Sequence, residues 1–499
     1  MSHLILLPIL LPMLFGSLLL IGFRWPLWVK RVISLAASFA LLPVAWMLLV
    51  QADLGDIELY ALGNWQAPFG IALMMDRLNA SLILLTALLG FCALIFACHG
   101  DDKRGPNFHA LYQFQMLGIN GAFLTGDLFN LFVFFEILLI SSYALLLHGG
   151  GKNRVKAGLS YVILNLVGSS FFLIGVAILY GVLGTLNMAD LAIQVRMLPD
   201  EYAPLVSAAG LLLLLVFGLK AAMMPLCFWL PGAYAAATAP VAALFAILTK
   251  VGLYAIIRVY TLIYGGEAGL LSDSIHQWLW PIGLLTIVIA VVGVLSSRQM
   301  QVLLGNLVVL SVGTLLVGIS FHSGKGLSAS LFYMVHSTLT IAGLFLLANM
   351  MARQRGQVGD ELVSGPALRQ PLLLGGLFFY GSVAVAGLPP LSGFLGKLML
   401  LQSAPSGSAT LLFWAVLLIG GFATIVALSR AGSLVFWKTH ERGSFVAPCD
   451  PGCLAVTAVL LGCSLLMVVW AQPLYAFFEE TANQLLDVPS YLKLIEGEA

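Results

Sequence analysis

The chain has 499 residues, of which 61% are hydrophobic and 9% are charged, against about 25% charged residues in an ordinary soluble domain. This composition excludes a soluble enzyme and predicts a protein that lies almost wholly in a lipid bilayer. The 23 Lys and Arg residues balance 22 Asp and Glu residues to a net charge of +1, which leaves no basic surface for nucleic acid.

Apolar segments long enough to cross a bilayer recur along the whole chain. At about 20 residues a span, its length allows about 14 spans, and we expect an all-α polytopic membrane fold. The predicted spans are 4–22, 32–50, 78–97, 110–126, 128–147, 157–183, 205–230, 240–262, 278–295, 301–320, 327–350, 372–402, 408–428 and 454–472. We group them as three N-terminal spans (1–109), two five-helix units (110–262 and 278–428), and a loop, last span and tail (429–499).

Charge supports this count where hydropathy is weakest, at the short Gly126-Asp127 join between the fourth and fifth spans. One bent helix would also fit that stretch. With both termini outside, however, most Lys and Arg residues fall in inside loops, as the positive-inside rule requires. Examples on the inside are Lys152, Arg154, Lys156 and Arg442, and acidic residues on the outside are Asp53, Asp56 and Glu58. Removing a span would scramble this sorting.

Five ionisable residues fall near the middle of predicted spans. They are Glu136, Lys220, Lys250, His336 and Lys397. Such a group costs several kcal/mol in the membrane unless it is paired or hydrated, so it marks an ion or proton pathway by default. The competing interpretations are a snorkelling side chain, especially for Lys397, a static salt bridge, and a hydrogen-bonded polar contact between helices for His336.

Glu136 is flanked by Phe134, Phe135 and Ile137, and lysine is the available partner for its carboxylate. An acid and an amine in the same low dielectric can exchange between ionised and neutral states. A proton relay needs this property, and we therefore expect Glu136 and Lys220 to act as a switchable pair.

Prolines interrupt the seventh and twelfth spans, each beside one of the lysines. Pro225 follows Lys220, and Pro389 and Pro390 precede Lys397. Interrupted helices at matching places in two halves indicate an ion site, although a packing kink is the alternative. Because the breaks are five spans apart, we predict two inverted repeats, spans 4–8 and 9–13.

The six cysteines lack the paired spacing of a zinc or iron–sulfur site. Most lie in apolar runs and are expected to be buried small hydrophobes. Cys449 and Cys453 lie in a Pro/Gly loop with only His440 nearby. We therefore predict no metal site.

Several motifs together resemble a known family. These are Phe134-Phe135-Glu136, Lys220-x-x-x-x-Pro225, Trp229-Leu230-Pro231-Gly232-Ala233-Tyr234, Leu248-Thr249-Lys250-Val251-Gly252 and Gly387-Leu388-Pro389-Pro390-Leu391-Ser392-Gly393-Phe394-x-Gly396-Lys397. They look like the antiporter-like subunits shared by respiratory complex I and the Mrp multisubunit cation/proton antiporters, with the D component of Mrp as the better match. Cys227 and Gly232 stand where complex I relatives usually have His and Asp.

The resemblance implies a transporter subunit of a bacterial inner membrane that works only with other membrane subunits and holds no cofactor. Its polar axis would run through the five ionisable residues and carry protons in exchange for Na⁺ or K⁺. The alternative is a proton-pumping membrane subunit of a complex I-like or hydrogenase-like oxidoreductase, and a scaffold without transport is a third, weaker interpretation.

Overall fold

The structure is a computed structural model that describes residues 3–55, 57–65, 70–440 and 447–496. Asp56 and Arg442, used in the charge argument above, lie outside these residues. The α-helices in chain order are α1 Leu7–Ile21, α2 Leu27–Asp53, α3 Arg77–Ala97, α4 Phe108–Leu124, α5 Leu128–Leu147, α6 Lys152–Leu183, α7 Met188–Arg196, α8 Ala203–Ala221, α9 Trp229–Ala236, α10 Ala239–Phe245, α11 Leu248–Leu262, α12 His276–Ser296, α13 Met300–Ser320, α14 Gly324–Gln354, α15 Pro371–Ala386, α16 Ser392–Ser403, α17 Ser408–Gly432, α18 Pro451–Val469, α19 Ala471–Leu486 and α20 Val488–Glu496. The strands are β1 Glu58–Ala61, β2 Ala72–Met75, β3 Gly365–Pro366 and β4 Thr439–His440, with β1 antiparallel to β2 and β3 parallel to β4.

The predicted polytopic fold is confirmed. In the described residues, 12 helical segments are long and apolar enough to cross a membrane. The two remaining predicted spans are α4, which has 17 residues, and the interrupted pair α15 and α16. The segment formed by α10 and α11 is wholly buried, whereas the apolar stretch of α6 is 39% buried. The first therefore lies in the protein interior, and the second presents an apolar surface suited to lipid.

The join between α4 and α5 is a true helix boundary. Asp127 caps α5 by accepting a hydrogen bond from the backbone N–H of Asn130 at 2.7 Å. Gly126 N–H donates to the carbonyl of Ala72 in β2, and Leu128 N–H donates to the carbonyl of Leu186, both at 2.9 Å. Because these contacts satisfy backbone groups that a helix end leaves free, two helices form where one bent helix was the alternative.

Both predicted helix breaks are present and begin in the same way. Helix α8 ends before Ala222, and α15 ends before Gly387, and each of these two residues has a left-handed backbone with φ of 62° and 81°. Each lies three residues before a proline, Pro225 or Pro390, whose missing N–H prevents the helix from continuing. After the first break the chain becomes helical again in α9, and after the second break it does so in α16.

Some elements had no counterpart in the predicted spans, among them the C-terminal helices α19 and α20. Tyr491 of α20 contacts Asp76, the N-cap residue of α3, and accepts a hydrogen bond from Arg258 Nη1 at 3.0 Å. Arg258 Nη2 lies 2.5 Å from Asp76 Oδ2, and both side chains are at most 1% exposed. Arg258 is thus a buried ion-pair partner that ties α11, α3 and α20 together.

A second polar cluster joins α2 and α4 at the face predicted to lie inside. Asp102 accepts hydrogen bonds from Arg31 Nε at 2.6 Å and from His109 Nε2 at 3.2 Å. Burial by itself would raise the pKa of Asp102, but these two partners lower it from 3.8 to about 2. Because the folded-state pKa is depressed, the cluster stabilises the fold above about pH 4, and the stabilisation is lost as pH falls towards 2.

Helix α11 packs closely on α8 because residue 252 is glycine. A Cβ added at Gly252 would lie 2.5 Å from Ala221 N and 2.8 Å from Phe217 O, both backbone atoms. Neither atom can move without shifting α8. The glycine therefore sets the distance between the helices that carry Lys220 and Lys250.

We predict that Gly252→Ala destabilises the protein by about 1–3 kcal/mol, the usual cost of overpacking. The measurement is the thermal unfolding midpoint of the protein purified in detergent. Gly181→Ala is the matched control, since a Cβ at Gly181 meets no atom within 4 Å. An equal midpoint for both variants would show that α8 and α11 are not held at this distance by Gly252.

Candidate functional site

The five predicted residues lie on five different helices. Glu136 is on α5, Lys220 is in the last turn of α8, Lys250 is in the first turn of α11, and His336 and Lys397 are on α14 and α16. Glu136 is partly buried, and the other four are between 0% and 8% exposed. No hydrogen bond, and no ion pair within 4.0 Å, joins any two of these five described side chains directly. Their polar contacts come from other residues.

Two neutral side chains of α6 connect Glu136 with Lys220. Ser169 Oγ donates a hydrogen bond to Glu136 Oε1, and Lys220 Nζ donates to Asn165 Oδ1 at 3.3 Å. Ser169 Oγ also lies 3.0 Å from the Asn165 carbonyl oxygen. The ring of Phe135 is 5.9 Å from the Lys220 ammonium, within cation–π range. The acid and the amine are therefore connected through side chains of α6 and not by the direct contact that a simple pair would make.

Sequence reasoning did not single out Asn165 and Ser169. Their spacing of four residues places both on one face of α6, in a helix whose other side is apolar. Two polar residues four positions apart in an apolar helix were the sequence signal that could have identified them. Its direction towards Glu136 and Lys220 depends on how α5 and α8 pack, which the sequence does not state.

A cavity of about 800 Å³ opens beside the start of α6. Its lining includes the basic residues Lys152, Arg154 and Lys156, and also Trp229 and Gly232. A Cβ at Gly232 would meet no atom within 4 Å, so this departure from the complex I pattern faces open space.

Trp229 connects this cavity with the first helix break. Its Nε1 donates to the carbonyl of Leu219 at 3.2 Å, and its ring stacks on Tyr161 at 4.8 Å between centroids. One side chain therefore both lines the cavity and holds the end of α8 next to Lys220.

Lys250 follows a third interruption, between α10 and α11, that the sequence analysis did not predict. Its Nζ lies 3.4 Å from both Thr249 Oγ1 and Ser311 Oγ, and the residue is 0% exposed. Among the described residues these two hydroxyl groups are its hydrogen-bond partners. The amine is therefore compensated by dipoles and not by a counter-charge.

Lys397 binds the carbonyl oxygens that the second break leaves free. Its Nζ donates to Ala386 O at 2.7 Å and to Val385 O at 3.2 Å, at the carboxyl end of α15. A cation at a helix C-terminus is stabilised by the helix dipole. The side chain points into the break and not towards an interface, which argues against snorkelling. Pro389 and Pro390 lie in the same gap, between α15 and α16.

His336 belongs to the neighbourhood of the second break. Its Nδ1 lies 2.7 Å from the hydroxyl of Ser392, the first residue of α16, and that hydroxyl lies 2.8 Å from the hydroxyl of Ser464. The histidine therefore joins α14, α16 and α18 through hydroxyl groups, a chain that can pass a proton or simply hold the helices together.

Known proteins match the chain along its whole length. The family described as "NADH:quinone oxidoreductase/Mrp antiporter, TM" matches residues 125–424. The D component of a probable K⁺/H⁺ antiporter of Rhizobium meliloti (strain 1021) is 40% identical over 523 residues, with 97% of this chain and 96% of the relative covered. The D component of a Na⁺/H⁺ antiporter of Bacillus subtilis (strain 168) is 35% identical over 504 residues, with both chains covered to 100%.

A solved structure shares the fold. One chain in the structure of the Mrp complex from Dietzia sp. DQ12-45-1b superposes with a TM-score of 0.87 at 25% identity, over 99% of this chain and 100% of that chain. The helix breaks, the motifs around Glu136, Lys220 and Lys397, and these matches agree. The chain belongs to the NADH:quinone oxidoreductase/Mrp antiporter family of multi-pass membrane proteins.

Proposed function

We propose that the chain is a proton-carrying subunit of a multisubunit monovalent cation/proton antiporter that exchanges Na⁺ or K⁺ for protons. It is a transporter subunit, not an enzyme, and its partners are the other membrane subunits of the antiporter. The main support for a proton relay is the hydrogen-bonded connection of Glu136 to Lys220 through Ser169 and Asn165.

Through this connection, the protonation state of Glu136 affects that of Lys220. Ser169 has two acceptors within reach, the Glu136 carboxylate and the carbonyl oxygen of Asn165. When Glu136 takes up a proton, the charged acceptor is lost and the hydroxyl can turn to the backbone. The Lys220 ammonium then loses the stabilisation of the nearby negative charge and can release its proton towards Lys250, His336 and Lys397.

The inventory of charged groups favours protons as this chain's cargo. Glu136 is the one acidic residue that falls near the middle of a span, whereas Na⁺ is a hard cation that prefers several oxygen ligands. We infer that a neighbouring subunit handles the metal cation wholly or in part.

The alternative is a proton-pumping membrane subunit of a complex I-like or hydrogenase-like oxidoreductase. The family includes such subunits, but the D components of two antiporters match this chain over nearly its whole length. Cys227 and Gly232 also depart from the complex I pattern. Antiport driven by the proton motive force, without any redox substrate, supports the first function, and dependence on a redox substrate supports the second.

We expect Glu136→Ala and Lys220→Ala each to lower exchange by about 100-fold or more, within the range for loss of a positioned proton-transfer group. Glu136→Asp should keep partial activity because it retains the acid. The measurement is cation-driven proton flux in everted vesicles that contain the whole complex, with assembly checked on a native gel. Exposed Lys325→Ala is the control and should exchange normally. Normal exchange by Glu136→Ala or by Lys220→Ala, with the complex assembled, would disprove the relay.

A second prediction concerns Lys397 and its carbonyl site. A Cβ at Gly387 would lie 2.6 Å from Lys397 Cδ, and φ of +81° is strained for alanine. Gly387→Ala should therefore displace Lys397 and lower exchange, as Lys397→Ala should, while the complex still assembles. Gly376→Ala, in the helix α15 that ends just before Gly387, is the matched control, because its Cβ would meet no atom within 4 Å. If Lys397→Ala exchanges normally, this lysine is not on the path.

We also propose that the protein lies in the bacterial cytoplasmic membrane with both termini outside. The positive-inside bias supports this orientation. In a cysteine-free background, a membrane-impermeant maleimide added to spheroplasts should label Leu54→Cys and leave Asn153→Cys unlabelled. Both positions are exposed. The reverse labelling pattern would invert the orientation.

A further inference from the structure

Two histidines and an aspartate meet outside the polar axis, where the α11–α12 and α13–α14 connections come together. The residues are Asp273, His276 and His322, and one potential ligand atom from each lies within 4.8 Å of the other two. The proton relay makes no use of this cluster.

His276 presents a buried nitrogen that lacks a partner. It is 6% exposed, and its Nε2 lies 3.1 Å from the carbonyl oxygen of Tyr260. A carbonyl only accepts, so Nε2 carries the proton, and in the neutral ring Nδ1 carries the lone pair. Nδ1 is buried and has no hydrogen-bond partner among the described residues. Metal-binding histidines are oriented in this way, with one ring nitrogen donating to a backbone carbonyl and the other left free for the metal.

His322 lies beside it and turns Nε2 towards Asp273, so Nε2 is the nitrogen that His322 would offer to a metal shared with that carboxylate. Its Nε2 lies 3.2 Å from Asp273 Oδ1, and its Nδ1 is also buried without a partner in the described part of the chain. The two imidazole rings are 4.2 Å apart between centroids. The side chain of Asp273 is 47% exposed, so an ion from solution can reach the cluster at its edge.

We propose that Asp273, His276 and His322 bind a transition-metal dication, with Zn²⁺ as the best match. Two imidazole nitrogens and one carboxylate oxygen, completed by water, form a common tetrahedral zinc ligand set. Mg²⁺ and Ca²⁺ prefer sites made wholly of oxygen ligands, and the two nitrogens therefore disfavour them.

The bound metal would join the start of α12 to the turn before α14, the helix that carries His336. Through Tyr260, His276 also contacts α11, which carries Lys250. Metal binding should therefore restrict movement between helices on both sides of the relay and slow transport. By the proposed orientation this cluster lies on the side of the termini, so the external solution supplies the ion.

The test uses the intact, metal-stripped complex purified in detergent, with Zn²⁺ titrated against a chromogenic chelator. One Zn²⁺ per chain is expected. His276→Gln and His322→Gln should each weaken binding about 10-fold or more. His322→Gln guards against a folding defect, because His322 is only partly buried, and assembly of both variants is checked by gel filtration. The control is His3→Gln, which should bind Zn²⁺ as the unaltered protein does, because His3 is exposed and its Nδ1 lies 3.0 Å from the Tyr60 hydroxyl, away from the cluster.

Wild-type Zn²⁺ affinity in both His276→Gln and His322→Gln would overturn the proposal. A loss of Zn²⁺ affinity in His3→Gln as large as in these two variants would also overturn it. Loss in His99→Gln alone would also overturn it, because His99 belongs to a different cluster with Asp450 and Cys453. As a second readout, Zn²⁺ added on the side of the termini should slow exchange in unaltered vesicles and have a much smaller effect in His322→Gln vesicles. This binding test is independent of the proposed relay, since it needs no transport.

Discussion

An ammonium group inside a membrane needs an oxygen acceptor, and each intramembrane lysine of this chain finds one, either at a helix break or on a polar side chain that enters the interior. Lys397 uses the carbonyl oxygens at the end of α15, and Lys220 uses the side chain of Asn165 on α6. Lys250 uses the hydroxyl groups of Thr249 and Ser311. Each lysine thus has a different kind of acceptor, and none is neutralised by a contacting carboxylate among the described residues. Groups held in this way can change their protonation state without breaking a strong ion pair.

The two breaks start alike but hold their lysines differently. When Pro225 is aligned with Pro390 along the chain, Gly232 takes the position of Lys397. At the second break, the ammonium of Lys397 therefore binds backbone carbonyl oxygens of the break itself. The first has open cavity at Gly232, and its lysine lies before the break, where α6 can reach it. The two lysines therefore have different surroundings, a side chain of α6 for Lys220 and backbone carbonyl oxygens of α15 for Lys397.

Hydropathy was enough to predict the spans. The prolines and the isolated charges were enough to predict both breaks and to single out five ionisable residues near mid-span, because a proline or a charge is costly in a membrane helix and so stands out. Asn165 and Ser169 do not stand out, since such residues also occur where they bond only to their own helix, as Ser170 does to Leu166. The interruption before Lys250 has no proline in its gap. The histidine cluster forms from two connections distant in sequence, and the packing of α12 on α13 brings its members together.

The central claim is that Glu136 and Lys220 act through α6. It is tested most directly by the pH dependence of exchange in Asn165→Leu, which removes the acceptor of the Lys220 ammonium and keeps a similar volume. Ser170→Ala, on the exposed face of the same helix, is the control. The account predicts that Asn165→Leu lowers exchange nearly as much as Lys220→Ala, and that combining the two adds little further loss, since coupled residues are not additive. A normal rate and pH profile in Asn165→Leu, with the complex assembled, would contradict it.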